Sequence, residues 1–334
     1  MKLPPTPVPP KSSKQTIAAY LRELLPDQTW SQVRTLVTSR RVRIDEVVCA
    51  DPARRVKTGE MVELMGAPIV PPRNATAEGL TIRHLDDHIV VVEKASGINT
   101  VRHPAEREWT DERRKLAPTL QDITQLAIAR MLTRKPHTLP RLRIVQRLDQ
   151  GTSGLVVFSR SVEAERSLGH QFADHSVIRR YTTIVPGLMQ SRTIHSWLMR
   201  DRGDGRRGSA GRGNALLDKG PSDAKEATTH VQLAERLPRH SVMTCKLETG
   251  RTHQIRIHLS EAGYSVCGEK VYIDRERGAP IPPDPDECPR LALHAFELGF
   301  IHPGTMLPVL WEMPLPPDLL GFLNRIRIPP KKAT

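Results

Sequence analysis

Two short stretches hold the residues most able to do chemistry. The first is "QRLDQGTSGLVVFSR", residues 146 to 160, which reads as a short strand, a turn rich in glycine and small hydroxyl residues, and an apolar strand, with Asp149 at the mouth of the turn, two positions after Arg147. The apolar run "LVVF" that follows anchors this turn to a core. An aspartate before Gln-Gly-Thr-Ser-Gly is at home in a turn, where its side chain bonds nearby backbone N–H groups. Held at an exposed edge beside an arginine, the same carboxylate is a candidate for acid–base or electrostatic work. At this level both readings stand. A serine nucleophile elbow is excluded, because GxSxG would need glycine where Leu155 stands.

The second stretch is "SVMTCKLETGRTHQIRIHLSEAGYSVCGEKVY", residues 241 to 272. Val242, Thr244 and Lys246 alternate with Met243, Cys245 and Leu247, which predicts a strand with one apolar face. Thr252 is placed to cap a helix whose face carries Ile255, Leu259 and Ala262, and Gly263 ends it. Arg251 and Arg256 then lie at or near the helix start. His253 and His258 are five apart, a poor spacing for chelation from one helix face. Cys49, Cys245, Cys267 and Cys288 lie far apart with no CxxC pair, so neither zinc nor a disulfide framework is expected.

The elements that must position these groups are set within 334 residues, a length that suits one large domain plus a small one. Net charge is +13, which favours a polyanionic partner. Aromatic residues are only 4% of the chain, so arginine and lysine contacts to phosphate are expected over stacking platforms. No secretory signal or membrane span is visible, and a soluble cytoplasmic protein is expected.

Residues 1–14, rich in Pro, Ser and Lys, are expected to be a disordered tail. Ile17, Leu21 and Leu24 predict a helix that Pro26 stops, and Val33, Leu36 and Val37 predict a second. The strands "RRVRIDEVV" and "KTGEMVEL" complete a small α+β module over residues 15–73. Arg34, Arg40, Arg41 and Arg43 cluster on its second helix and the turn after it, placed to grip phosphates or simply to solvate a helix end. Residues 65–79 read as a linker. Two strands around the Asp-Asp turn of "LTIRHLDDHIVVVEKASG" follow, then a helix at "TLQDITQLAIARML". The segment "RGDGRRGSAGRG", residues 202–213, reads as a mobile basic loop.

Together these stretches resemble the RluA-type family of RNA pseudouridine synthases. "QRLDQGTSGLVVFSR" is similar to that family's HRLD signature, with Gln146 where histidine is usual, and "GRTHQIRIHL" differs from its second signature by one residue. "RRYTTIVPG", "LDDHIVVVEKASG" and "LALHAFELGFIHPGTMLPVLWEMPLP" resemble further family segments, in family order, from about residue 80 to 317. The module at 15–73 resembles the S-four-type RNA-binding domain, with "IDE" at 44–46 in place of the usual turn.

The resemblance implies an α+β protein with an RNA-binding module followed, over 74–334, by a catalytic domain built on a mixed, mainly antiparallel sheet. It implies isomerisation of uridine to pseudouridine in structured RNA, ribosomal or transfer, by a monomer needing neither cofactor nor metal. Asp149 would be the essential acidic residue, Tyr181 would line the base pocket, and Arg256 would pair with Asp149. Arg147, Arg251, Arg34, Arg40 and Arg41 would contact RNA. A carboxylate can stabilise the cationic sugar of glycosidic cleavage, an adjacent arginine favours its charged form, and the target base must leave its stack. Gln146 and the Arg/Gly loop motivate an alternative, a non-catalytic RNA-binding or ribosome-assembly protein of the same fold. A methyltransferase is disfavoured, because no glycine-rich strand-to-helix cofactor loop is present.

Overall fold

The computed structural model describes residues 3–39, 41–45, 47–49, 51–66, 75–77, 80–106, 108–132, 140–201, 206–210, 222–273 and 286–328. The chain divides into two compact units, Met1–Pro72 with Gly299–Glu312, and Arg73–Leu298 with Met313–Thr334. Among the described residues no helix is long and apolar enough to cross a membrane.

The first unit contains β1 (Leu3–Pro7), α1 (Ile17–Leu24), α2 (Trp30–Thr38), β2 (Val42–Ile44), β3 (Val47–Cys49) and β4 (Met61–Leu64), with sheet order β1-β4-β2-β3. Thr16 caps α1, accepting from the Ala19 N–H, and Thr29 with Gln32 forms a capping box on α2. Ile17, Leu21, Val33 and Val37 are fully buried and pack with Val42, Val62 and Leu64 in one core. The expected disordered tail is corrected here. Residues 3–7 pair with β4, Leu3 opposite Leu64, and the Tyr20 hydroxyl donates to the Pro7 carbonyl at 3.1 Å. Prolines 4, 5 and 7 are tolerated because β1 is an edge strand, where missing N–H groups break no ladder.

The second unit is built on β5 (Ala75–Ala77), β6 (Leu80–Leu85), β7 (Ile89–Lys94), β8 (Arg143–Ile144), β9 (Ser153–Ser159), β10 (Ile178–Pro186), β11 (Arg192–Met199), β12 (Gly208–Ser209), β13 (Lys225–Arg236), β14 (His240–Leu247) and β15 (Leu293–Ile301). Its path runs β12-β11-β13-β14-β10-β15-β9-β7-β6-β5, with β8 on β9, while β16 (Pro308–Glu312) falls within Gly299–Glu312 of the first unit. The pairs β6–β7, β7–β9, β10–β14, β11–β13 and β13–β14 are antiparallel, whereas β9 and β15 run parallel with His294 opposite Ser153. Helices α3 (Asp111–Leu116), α4 (Leu120–Met131), α5 (Val162–Ala173), α6 (Gln254–Glu261) and α7 (Pro317–Arg327) accompany this sheet.

All seven residues of β9 are buried, as its apolar run requires. At Gly154 a Cβ would lie 2.3 Å from the Ala295 carbonyl oxygen, so β9 and β15 approach this closely only through glycine. Three local expectations change. Part of the expected linker, residues 75–77, pairs with β6. Of the expected basic loop only 206–210 are described, and Gly208–Ser209 pair with β11. Residues 146–148, expected as a strand before the Asp149 turn, are loop.

Candidate active site

Asp149 sits on the loop between β8 and β9, and that loop is gripped from one side by residues 94–100. Lys94, fully buried, donates from Nζ to the carbonyls of Ala95 (3.0 Å), Gln150 (3.0 Å) and Thr152 (2.7 Å). Ser96 Oγ donates to the Gly151 carbonyl at 2.8 Å, and the Gly97 N–H donates to that of Gln150 at 2.8 Å. Thr100 Oγ1 both donates to the Leu148 carbonyl (2.8 Å) and accepts its N–H (3.0 Å). Within the loop the Thr152 N–H closes the turn onto the Asp149 carbonyl at 3.1 Å. Gly97, at φ 90°, supplies the left-handed turn that brings the two segments together. Burial pushes the Lys94 ammonium down to about 7, and the Asp149 charge works the other way.

The start of α6 forms the opposite wall. Arg256 Nη1 lies 3.3 Å from Asp149 Oδ2, and its Nε and Nη2 form a two-pronged pair with Glu269 at 2.7 and 2.8 Å. Glu269 Oε1 also accepts the N–H groups of Lys270 (2.9 Å) and Val271 (2.8 Å). Burial opposes the charge of Glu269, but Arg256 and these N–H groups outweigh it and hold the carboxyl below its usual range. Burial likewise opposes the charge on Arg256, and the two carboxylates hold it above its ordinary value. The Arg256 guanidinium also lies over the Tyr272 ring at 5.2 Å.

Thr252 is not the helix cap. His253 takes that position at φ 61°, and the Gln254 side chain organises the turn, accepting from Arg251 N–H (3.0 Å) and Thr249 Oγ1 (2.7 Å). His253 Nδ1 bonds the Tyr272 hydroxyl at 2.7 Å while Nε2 stands 3.8 Å from Asp149. Burial lowers the His253 pKa, with Asp149 opposing. His258 is turned away into the interior, where Thr229 and Ser196 hold its two nitrogens at 2.9 and 3.0 Å.

Between these walls lies a cleft of about 470 Å³. Asp149, Tyr181, Arg256, Arg147 and Arg251 all line it, so five of the eight predicted site residues meet in one place. Tyr181, on β10 opposite Cys245, has its hydroxyl pushed up to about 12 by burial, so it is a neutral phenol at ordinary pH. Arg147 is exposed, and Arg251 is half-buried with Nε on the Glu226 carbonyl at 2.9 Å. Gln146 makes only a marginal contact with the Leu155 carbonyl, at 3.5 Å. The other three belong to the first unit. Arg34 is exposed on α2, Arg41 is half-buried with Nε on the Met65 carbonyl at 3.1 Å, and Arg40 lies outside the described residues. Sequence reasoning missed Lys94, Arg179, Glu269 and Tyr272. The only sequence signal for the first two was that each falls in a segment resembling the family.

The sequence model of the family described as RNA pseudouridylate synthase matches residues 88–261, and that of the S4 domain matches residues 15–62. The chain is 31% identical to a ribosomal large subunit pseudouridine synthase D of Nitrosomonas europaea, over 92% of this chain and 83% of that protein. It is 33% identical to the protein of the same name from Pseudomonas aeruginosa, over 96% and 94% of the two chains. Among solved structures it is similar to human RNA pseudouridylate synthase domain containing 4, with TM-score 0.58 at 20% identity over 74% of this chain and 92% of that one, a likeness of fold.

Proposed function

The chain belongs to the RNA pseudouridylate synthase family and is an isomerase that converts uridine to pseudouridine within RNA; on that premise we propose that its substrate is ribosomal RNA, with transfer RNA the lesser alternative. The two relatives named above carry ribosomal large subunit in their names, and the charge of +13 suits a large polyanion. We place the reaction in the cytoplasm, in a monomer that uses neither metal nor cofactor. Residues 15–73 serve as an RNA-binding module, with Arg34, Arg40 and Arg41 on phosphates, and residues 74–334 carry the chemistry.

The observation that carries the assignment of roles is the placement of Asp149, 3.3 Å from an arginine that is itself locked to Glu269, at the wall of a cleft. The reaction breaks the C1′–N1 bond, turns the uracil and forms C1′–C5. The proton leaving C5 is balanced by one gained at N1. Asp149 faces the sugar, as nucleophile or as the charge that stabilises an oxocarbenium-like ribose. Arg256 orients it. Tyr181 packs against the extruded base, and its high pKa makes it a neutral donor in the resting cleft. Arg147 and Arg251, at the rim, hold the strands around the vacated position.

The test is tritium release from ribosomal RNA labelled at C5 of uridine. Wild type should release tritium, while Asp149→Asn should release none and still bind. Turnover by Asp149→Asn would overturn its role; release from transfer RNA alone would overturn the substrate.

A further inference from the structure

Among the described residues three arginines are buried, Arg83, Arg179 and Arg256. Two of them hold carboxylates, Arg83 with Glu93 at 2.6 Å, and Arg256 with Glu269 and Asp149. Arg179, 9% exposed, has no acidic partner among the described residues. Its Nη2 donates to the Glu248 carbonyl at 3.1 Å, its guanidinium lies over the Phe172 ring at 5.4 Å, and its Nε is buried with no hydrogen-bond partner.

Arg179 also lines the cleft, two residues before Tyr181 on β10 and therefore on the same face of the strand. The neighbouring loop is shaped around it. A Cβ on Gly250 would lie 2.6 Å from Arg179 Nη1, so the glycine of "GRTHQIR" leaves the room that the guanidinium occupies. A guanidinium stays cationic in a protein, and a buried cation without an opposite charge is destabilising by itself. Such a site is completed by an anion from outside. The anion that an RNA substrate brings into a cleft with a uridine is the backbone phosphate, whose oxygens match the guanidinium fork.

We propose that Arg179 binds a backbone phosphate adjoining the target uridine, so that the cleft recognises the extruded nucleotide by its phosphate as well as by its base. The inference rests on the reading that this cleft takes a uridine in RNA. Arg147 and Arg251 are more exposed and grip the surrounding strand, whereas Arg179 contacts the nucleotide that enters.

The experiment uses full-length protein and an RNA stem-loop containing a uridine that the wild type converts. The RNA is made with native phosphates, or with one uncharged methylphosphonate on the 5′ or the 3′ side of that uridine. Wild type should lose roughly tenfold or more in Kd or kcat/KM with one of the two substitutions, the worth of a charge-assisted bond. Arg179→Met should lose a similar factor on native RNA and then be indifferent to that methylphosphonate; Arg179→Lys should recover part of the loss. Where Arg179→Met fails to melt like wild type, Gly250→Ala keeps the cation, displaces its head and should show the same indifference. Undiminished discrimination in the variants, or none in wild type, would overturn the inference. A wild type that converts no uridine in any RNA overturns the isomerase reading instead, and this inference falls with it.

Discussion

The two walls that face each other across Asp149 are held by different forces. The loop that carries Asp149 is fixed through its backbone: Lys94, Ser96, Gly97 and Thr100 bond the carbonyls of Leu148, Gln150, Gly151 and Thr152. At the start of α6 the neutral Gln254 amide sets the turn, while the side chain that faces Asp149 is fixed through charge, with Arg256 clamped by Glu269 and laid over Tyr272. A backbone-held wall tolerates changes in its own outward side chains but not in the residues that grip it. A charge-held wall depends on each ionised partner. The Gln146 side chain makes none of the bonds that hold the Asp149 turn and meets only the Leu155 carbonyl, at 3.5 Å.

Removing the grip is the harshest way to break this contrast. Lys94→Met deletes two hydrogen bonds to the turn, those to the Gln150 and Thr152 carbonyls, and should lower kcat by about a hundredfold, the scale of an ångström-sized misplacement of a reacting group. Lys94 also marks its presence in stability. Below about 7 both folded and unfolded chains hold its proton, and the full cost of burying the ammonium is present. Between about 7 and the ordinary 10.5 the unfolded chain binds more protons, so this group makes stability rise with pH. Urea midpoints across that range should show the rise in wild type and lack that component in Lys94→Met.

Weakening the charged wall comes next. Glu269→Gln leaves Arg256 buried with Asp149 as its only anion, and should lower kcat roughly tenfold with RNA affinity little changed. Breaking a buried pair from one side also destabilises, by about 3 to 5 kcal/mol, which thermal melting would register. A variant with normal kcat would remove the Glu269 clamp from the account of the site. Gln146→His should do least. If the loop is backbone-held, turnover should change by less than about threefold, within the usual ±0.5 kcal/mol of a substitution away from special features. A large gain would mean that the side chain at 146 helps hold the loop.

The same contrast governs what could be read from the amino-acid sequence. Asp149 and Arg256 stand in stretches whose pattern is distinctive, and they are 3.3 Å apart. Lys94 stood in view within "EKASG", but lysine is seldom buried, and nothing in the turn composition signals three carbonyls waiting for it. In "RRY" strand alternation sends one arginine inward and one outward without saying which, and Arg180 is the one that reaches solvent and Glu297. Glu269 follows a glycine in what reads as ordinary loop, and its pairing across 13 residues has no local periodicity. The starts of the helices at Ile17, Leu120 and Gln254 were legible to within a residue or two, though His253 in the left-handed region displaced Thr252 as cap. Proline content misled at residues 3–7, because it reports an unfit central strand and is silent about an edge.

The close approach at Gly154 has a consequence in time. β9 lies beside β15, and Ser153 bonds His294 from 141 residues away, so the strand that carries the Asp149 turn gains its parallel neighbour only when a very long loop closes. Such pairings are slow to form, because the chain must lose the entropy of closure before the contact rewards it. A nascent chain can therefore shape its amino-terminal module early, but it cannot finish the β9–β15 seam until residue 295 has emerged. The support beneath the Asp149 turn is therefore complete only once a stretch 141 residues beyond Ser153 has been made.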